Sequence, residues 1–263
     1  MRRAPHHFAM KNNLYIPSAR LLAAGLTWLL ASSAAHAASP IEEAQAALAR
    51  KDFAAAEALL TPLATGKNPD AAACHELGTV RVRQGRFEDA ITLFEKATKL
   101  DATQSPYFAS LGMAVAQRMN QVPMMQQAVL SMKLKKAFAK AVDLDPKNVT
   151  GLIGLSRFYT QAPEIAGGSI TKAKEFAERV RQIVPHLGEL ELGAIAEHTE
   201  DHAAAASHYE AAAHAAPANP APHLSAARVL TKLGRKADAR RHLEAALKLD
   251  PTNPRTQQTL AEL

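Results

Sequence analysis

The segment LGTVRVRQGRFEDAITLFEKA, residues 77–97, contains the pattern that decides the fold. Several of its apolar residues have counterparts 34 positions away in the chain. The pairs are Leu77 and Leu111, Gly78 and Gly112, Phe53 and Phe87, Ala56 and Ala90, and Leu60 and Phe94. An internal period of about 20–50 residues indicates an array of small structural units that bury their apolar surface against one another. The chain is therefore predicted to be built from copies of one such unit.

Each unit is predicted to be a pair of α-helices. The first helix carries the Leu-Gly pair, whose glycine lets a neighbouring helix come close, and a turn such as 84–86 follows. In the second helix Ala90, Phe94 and Ala97 are spaced by four and three residues, so they lie on one face. An Asp-Pro step such as 145–146 ends the second helix, because proline cannot continue a helix and restricts the residue before it.

This pattern resembles the tetratricopeptide repeat (TPR) family. The residues that carry the resemblance in one repeat are Leu77, Gly78, Gly85, Phe87, Ala90, Phe94 and Ala97. The resemblance implies an all-α fold, a right-handed superhelical solenoid of about six antiparallel helix pairs with a C-terminal capping helix. We place the solenoid domain at 38–263, with repeats near 37–70, 71–104, 105–148, 149–185, 186–219 and 220–253, and with the capping helix in Pro254–Leu263.

Composition agrees with closely packed helices. The chain has 263 residues, of which 56 are alanine and only 5% are aromatic, and alanine has the highest intrinsic helix propensity. A single cysteine excludes a disulfide framework within one chain and a cysteine-based zinc site.

Residues 1–37 have the three parts of a cleavable signal peptide. Four basic residues precede or border the apolar run Leu21–Leu30, and the segment ends in Ala35-His36-Ala37. We expect cleavage after Ala37, a periplasmic or secreted product, and no stable membrane anchor; an uncleaved anchor is the alternative. Met10 is an alternative start to Met1, because it would give a leader of ordinary length.

The predicted leader also explains the net charge of +6. Its four basic and no acidic residues leave 27 basic and 25 acidic residues in the remaining chain. No basic stripe with interleaved aromatic residues remains, so nucleic-acid binding is not expected.

The TPR resemblance implies that the first helices line a concave face that binds a protein or peptide partner. The residues that the repeat register places there are His75, Arg83, Met113, Ile153, Arg157, Leu190, Leu224, Arg228 and Lys232. Apolar and cationic side chains are interleaved in this set, as suits an extended peptide or a helix that offers carboxylates to the arginines. The alternative is that the arginines are simply solvated.

The third repeat is ten residues too long, and its second helix is predicted to run from Pro123 to about Val142. This longer helix should project beyond its neighbours. It carries Met124, Met125, Val129 and Met132, which form a second candidate partner-binding surface. Two alternatives are packing against the adjacent helix as adaptable filler and copper(I) binding through thioethers, although the methionine spacing suits copper poorly.

Other candidate sites are weaker. In the fourth repeat, residues 162–169 are predicted to form a turn, with a ligand-binding loop as the alternative. His198 and His202 lie four apart with acidic residues between them, but the register puts them across a turn, which favours packing over metal binding. Cys74 is expected to be buried rather than nucleophilic. No catalytic or dinucleotide-binding motif is present in the sequence, so we expect no catalytic residues, metal or cofactor.

The sequence therefore predicts a non-catalytic, periplasmic protein–protein interaction scaffold, with cell-envelope assembly or secretion as its candidate role. The alternative is a periplasmic accessory protein of a transport system that binds a small ligand or lipid. A closed apolar pocket would favour the alternative, and exposed apolar residues on the concave face or on the long helix would favour the scaffold.

Overall fold

A computed structural model describes residues 38–263 of the chain, and Ser39–Leu263 form one compact unit. The predicted leader and its cleavage site after Ala37 lie outside the described residues. Within the described part the regular structure is helical, with thirteen α-helices and one short 3-10 helix. The all-α solenoid expected from the 34-residue period is confirmed.

The helices follow one another in pairs joined by short turns. Their bounds are α1 Pro40–Ala49, α2 Phe53–Thr65, α3 Ala71–Arg83, α4 Phe87–Leu100, α5 Ser105–Met119, α6 Met124–Leu144, α7 Val149–Gln161, α8 Ile170–Ile183, α9 Pro185–His198, α10 His202–Ala215, α11 Pro220–Lys232, α12 Lys236–Leu249 and α13 Pro254–Glu262. The 3-10 helix Glu164–Ala166 lies between α7 and α8.

Local sequence signals explain where the helices begin and end. At the start of α3 the Asp70 carboxylate accepts a hydrogen bond from the Ala73 backbone N–H at 2.7 Å, and Asn148 does the same for Gly151 at 2.8 Å at the start of α7. Such caps satisfy amide groups that have no partner within the helix. Gly85 lies in the turn between α3 and α4 with φ of +74°, a left-handed conformation that favours glycine.

Consecutive helices pack against each other, and each odd-numbered helix from α1 to α7 also contacts the next odd-numbered helix. Arg228 of α11 in turn reaches Glu197 of α9. The odd-numbered helices α1–α11 therefore line one continuous surface, which we call the odd-helix face. Between the two layers of helices lie buried clusters of alanine, leucine, valine and aromatic side chains.

Aromatic rings from even-numbered helices fill the space above glycines of odd-numbered helices. A Cβ atom added to Gly78 would lie 2.6 Å from the Phe94 ring, and one added to Gly112 would lie 2.5 Å from the Phe138 ring. These distances leave no room for a side chain, so the recurring glycines hold the two helices of a pair close together. This is the close approach that the Leu-Gly repeat predicts.

Helix α6 has 21 residues, whereas α4 has 14. The extra length lies at one end of the helix: 16 positions separate Gly78 from Phe94, but 26 separate Gly112 from Phe138. The ten additional residues therefore precede the ring that packs on the glycine. The first part of α6, about residues 124–133, extends beyond the packed core, as the spacing predicts; we call it the α6 overhang.

Candidate partner-binding surfaces

In its N-terminal half, the odd-helix face is organised around His75. Its Nε2 lies 2.9 Å from the Ser110 hydroxyl on α5, and its ring stacks on Tyr107 with a centroid distance of 4.8 Å. His75 thus links α3 to α5. It is half-buried, so it contributes to this surface mainly by fixing its shape.

Arg83 and Met113 are more accessible than His75. Arg83 is the last residue of α3, is exposed, and forms no ion pair with any described residue. Met113, on the neighbouring helix α5, is 47% exposed. An unpaired cation and an exposed thioether on adjacent helices form a mixed polar and apolar surface, as a peptide site requires.

In the C-terminal half of the face, the predicted cations already have partners within the chain. The Arg157 guanidinium on α7 donates to both carboxylate oxygens of Glu191 on α9, with N–O distances of 2.6–3.1 Å. The Glu191 side chain is only 5% exposed, whereas that of Arg157 is 62% exposed. A bidentate pair of this kind is stronger than a single neutral hydrogen bond, so it ties α7 to α9 and occupies the charge of Arg157.

Glu197 on α9 has a similar role toward α11. It accepts hydrogen bonds from Arg228 and from the Tyr209 hydroxyl, and Lys232 lies 3.6 Å away. Burial opposes ionisation of Glu197, but the hydrogen bonds from Arg228 and Tyr209 outweigh it and hold the pKa of the carboxyl below its usual value. A ligand carboxylate would have to compete with Glu197 for both cations.

The three aliphatic residues predicted for this face are half-buried rather than exposed. Ile153 packs against the central apolar cluster, and Leu190 and Leu224 pack against the C-terminal one. Their remaining exposed surface alternates with the ion pairs. The structure thus concentrates unpaired groups of the odd-helix face near Arg83 and Met113.

The α6 overhang forms a separate apolar surface. Met124 is 84% exposed, Met125 88%, Val129 73% and Met132 50%. The interpretation of these four residues as core filler is therefore wrong, because they point to solvent. Met119, which precedes the overhang, does pack against the central cluster. A contiguous exposed apolar patch of this kind is typical of an interaction surface.

The loop between α7 and α8 has the structure that its sequence predicts. Helix α7 ends at Gln161 before Pro163, Gly167 has φ of +85°, and the Ser169 hydroxyl accepts a hydrogen bond from the Lys172 N–H to start α8. Beside the loop, the Lys135 ammonium lies 5.0 Å from the centre of the Phe158 ring. This cation–π contact connects α6 to α7 next to the loop.

Most of the cysteine and histidine side chains considered elsewhere are buried or half-buried. Cys74 is buried, as expected, and burial raises the pKa of its thiol. Nδ1 of His223 and Nδ1 of His242 lie 2.9 Å apart, and burial lowers the pKa of both imidazoles. Among residues 38–263, no three His, Cys, Asp or Glu side chains are placed to hold a metal ion. His202 is half-buried at the start of α10, and His198 is exposed.

Glu191 and Glu197 were not among the residues predicted for the site. A signal for the first was present, since Arg157 and Glu191 are 34 positions apart and so occupy equivalent places in consecutive units. Glu197 lies 31 positions from Arg228 and gives no such signal. In the described part of the chain, no helix combines the length and the hydropathy needed to cross a membrane.

Comparison with known proteins agrees with this architecture. A sequence profile described as tetratricopeptide repeat matches residues 47–114 and 196–263. These two segments cover just over half of the chain and leave the middle, residues 115–195, unmatched.

Solved structures extend the similarity to most of the chain. A thermophilic TPR protein from Thermus thermophilus is 18% identical, with a TM-score of 0.57 over 73% of this chain and 98% of that protein. PilW, described as a widely conserved type IV pilus biogenesis factor, is 13% identical, with a TM-score of 0.68 over 84% of this chain and 96% of PilW. PilF of Pseudomonas aeruginosa is 16% identical, with a TM-score of 0.61 over 85% of this chain and 96% of PilF. At these identities the similarity concerns the fold. A search among curated proteins found no significant match.

Proposed function

Because the chain belongs to the tetratricopeptide repeat family, whose members generally act as non-catalytic scaffolds for other proteins, we propose that it is an exported scaffold that binds a partner protein on the odd-helix face. The observation that carries this proposal is that Arg83 and Met113 are both exposed and lie on adjacent helices of the odd-helix face. The bound element is an extended peptide or a helix that supplies a carboxylate to Arg83 and an apolar side chain to Met113.

The ion pairs in the C-terminal half support this choice of site. Arg157 forms an ion pair with Glu191, and Arg228 forms one with Glu197. A ligand carboxylate that replaced either glutamate would therefore add little binding free energy. Arg83 has no such competitor among the described residues. The N-terminal half therefore offers the stronger attraction for an acidic group.

The proposed location rests on residues 1–37, with their basic start, apolar run and Ala-His-Ala end. The proposed role in envelope assembly or secretion is supported by that location together with a fold similar to that of PilW, a type IV pilus biogenesis factor. The ligand-binding alternative has less support. One depression of about 560 Å³ is lined by residues of α8 alone, such as Ile170 and Glu175, and is open to solvent.

The binding proposal is tested by affinity capture from the envelope fraction of the natural host, with quantitative comparison of the recovered proteins. We expect Arg83→Glu and Met113→Asp to lose at least one protein that the unchanged chain enriches. Arg240→Glu is the matched control, because Arg240 is exposed on the even-numbered helix α12. Equal recovery by all variants would show that the odd-helix face near Arg83 is not the binding site.

The export proposal has its own test. A fusion of the full chain to alkaline phosphatase, which gains activity only after export, should be active. The same fusion without residues 1–37 should be inactive. Activity of the truncated fusion would contradict a leader function for that segment.

A further inference from the structure

The outer side of the α6 overhang carries an apolar stripe. Met125, Val129 and Met132 are spaced by four and three residues and share one side of the helix. Leu134 and Phe138, on the opposite side, are buried in the core. The stripe therefore points directly away from the helices that pack on α6, and nothing in the described part of the chain covers it.

The stripe also lies within an uncharged stretch. Residues 119–132 contain no Asp, Glu, Lys or Arg. The charged residues that border the stretch are already paired, since Arg118 contacts Glu88 at 2.9 Å and Lys133 contacts Glu95 at 2.6 Å. Depletion of charge is a mark of the central part of protein interfaces, whereas an exposed helix face in solvent is normally charged.

We propose that this stripe pairs with the same stripe of a second copy of the chain, with the two α6 helices antiparallel about a two-fold axis near Val129. The order methionine, valine, methionine is nearly symmetric about Val129. An antiparallel partner therefore places Met125 of one copy against Met132 of the second copy, and each Val129 against its equivalent. An interface of this kind is isologous, because both copies use the same surface.

Charge favours the second copy and sets the direction of the helices. A surface without charges meets itself without like-charge repulsion. Beyond Met132 the same side of α6 carries Lys136 and Lys140, which form no ion pair with any described residue. In the antiparallel arrangement the two Lys136 residues lie about 21 Å apart along the helix axis. That distance exceeds the screening length of physiological salt, whereas a parallel arrangement would place the lysines side by side.

The contact is centred on one helix from each copy, so it lies at the small end of specific interfaces. We therefore expect a reversible dimer with a dissociation constant in the micromolar range. The stripe contains neither Arg83 nor Met113, so the dimer uses residues different from those of the binding site proposed above.

The test is analytical ultracentrifugation of the full chain, with its natural N-terminus and any processing, over a hundredfold range of concentration. We expect the mass to rise from one copy to two. Val129→Lys should remain a single copy throughout, because it places two lysines on the axis. Ala237→Lys, on an exposed face of α12, is the matched control and should dimerise like the unchanged chain.

Variants of opposite charge at position 129 test whether the two copies meet at this residue. Val129→Glu alone should also stay a single copy, but an equimolar mixture of Val129→Lys and Val129→Glu should restore the dimer. Circular dichroism checks that each variant is folded. In addition, Val129→Cys should form a disulfide-linked dimer under an added oxidant, while Ala237→Cys should not.

Two results would overturn the proposal. One is a single-copy mass for the unchanged chain at every concentration, which would leave the stripe to a different protein. The other is a dimer that Val129→Lys and Ala237→Lys weaken equally, which would place the contact elsewhere on the molecule.

Discussion

The helix pairs α3–α4 and α5–α6 pack in the same way but differ at the turn between their two helices. In each pair an aromatic ring, Phe94 or Phe138, fills the space above a glycine of the first helix. In the second pair ten further residues precede the ring, and they form the exposed overhang. The difference shows that a repeat accepts extra length at the turn between its helices, where no packed contact has to change. The buried core contacts and the exposed apolar residues thus lie in different parts of one helix.

The largest effect should come from the rings that close the two pairs. Phe138 also meets Gly154 of α7, where an added Cβ would lie 2.3 Å from the ring, while Phe94 meets one glycine. We expect Phe138→Ala to lower the free energy of unfolding by about 4–5 kcal/mol and Phe94→Ala by about 3–4 kcal/mol. Urea unfolding followed by circular dichroism measures both. If Phe94→Ala lowered the free energy of unfolding more than Phe138→Ala, the contact between Phe138 and Gly154 would not contribute to stability.

A smaller contrast is expected between ion pairs of α3 and α5. The Arg81 side chain is 11% exposed and makes two 2.6 Å bonds to Glu57, whereas Arg118 makes one bond to Glu88, which is 73% exposed. Arg81→Ala should cost about 1–2 kcal/mol, because it leaves a partly buried carboxylate without its cationic partner.

Arg118→Ala should cost less than about 0.5 kcal/mol, because water screens an exposed pair. The same urea experiment gives both values. Equal losses for the two variants would mean that burial does not distinguish the pairs.

The ion pair between Arg81 and Glu57 should also make the stability of the protein sensitive to acid. Hydrogen bonds from Arg81 and then Gln84 lower the pKa of Glu57 from 4.5 to about 2. A lowered pKa in the folded state stabilises the protein above the ordinary pKa of the group, and the contribution disappears as pH falls toward 2.

The difference in melting temperature between the unchanged chain and Arg81→Ala should therefore be full above pH 5 and should shrink between pH 4.5 and 2. Arg118→Ala serves as the control and should show no such trend. A difference that is constant over this pH range would rule out the Glu57 linkage.

The smallest effect is expected in the overhang. Met125→Ser replaces a side chain that is 88% exposed, so the free energy of unfolding should change by less than about 0.5 kcal/mol. Leu134→Ala, about two and a half turns further along α6 and buried, should cost about 2–3 kcal/mol and provides the comparison within one helix. A large loss on Met125→Ser would show that the overhang packs on the solenoid after all.

Local rules made most of the fold predictable. Pro123, Asp145 and the Leu-Gly repeat place helix ends and close approaches through backbone restrictions that act over a few residues. Exposure of the methionines was not predictable in the same way. Met119 and Met125 are of one residue type and near each other in sequence, yet only the first packs on the core, because the length of the neighbouring helices decides where the core stops.

The site was less predictable than the fold. The register correctly brings Arg157 and Arg228 to the odd-helix face, but register alone does not say which cations find a carboxylate. That depends on side-chain reach between neighbouring helices, as from Arg228 on α11 to Glu197 on α9. The assignment of the odd-helix face and the α6 overhang to partner binding stays a prediction.

The buried thiol of Cys74 supplies a reporter for local opening. Its Sγ lies 3.5 Å from the Ala64 carbonyl oxygen between α2 and α3, with no exposed surface. A thiol reagent added to the native protein reaches Cys74 only when these helices separate, so the rate of labelling measures how often the N-terminal units open. The same shielding lets a cysteine introduced on the surface be labelled selectively. The chain therefore suits fluorescence measurements of partner binding without removal of its own cysteine.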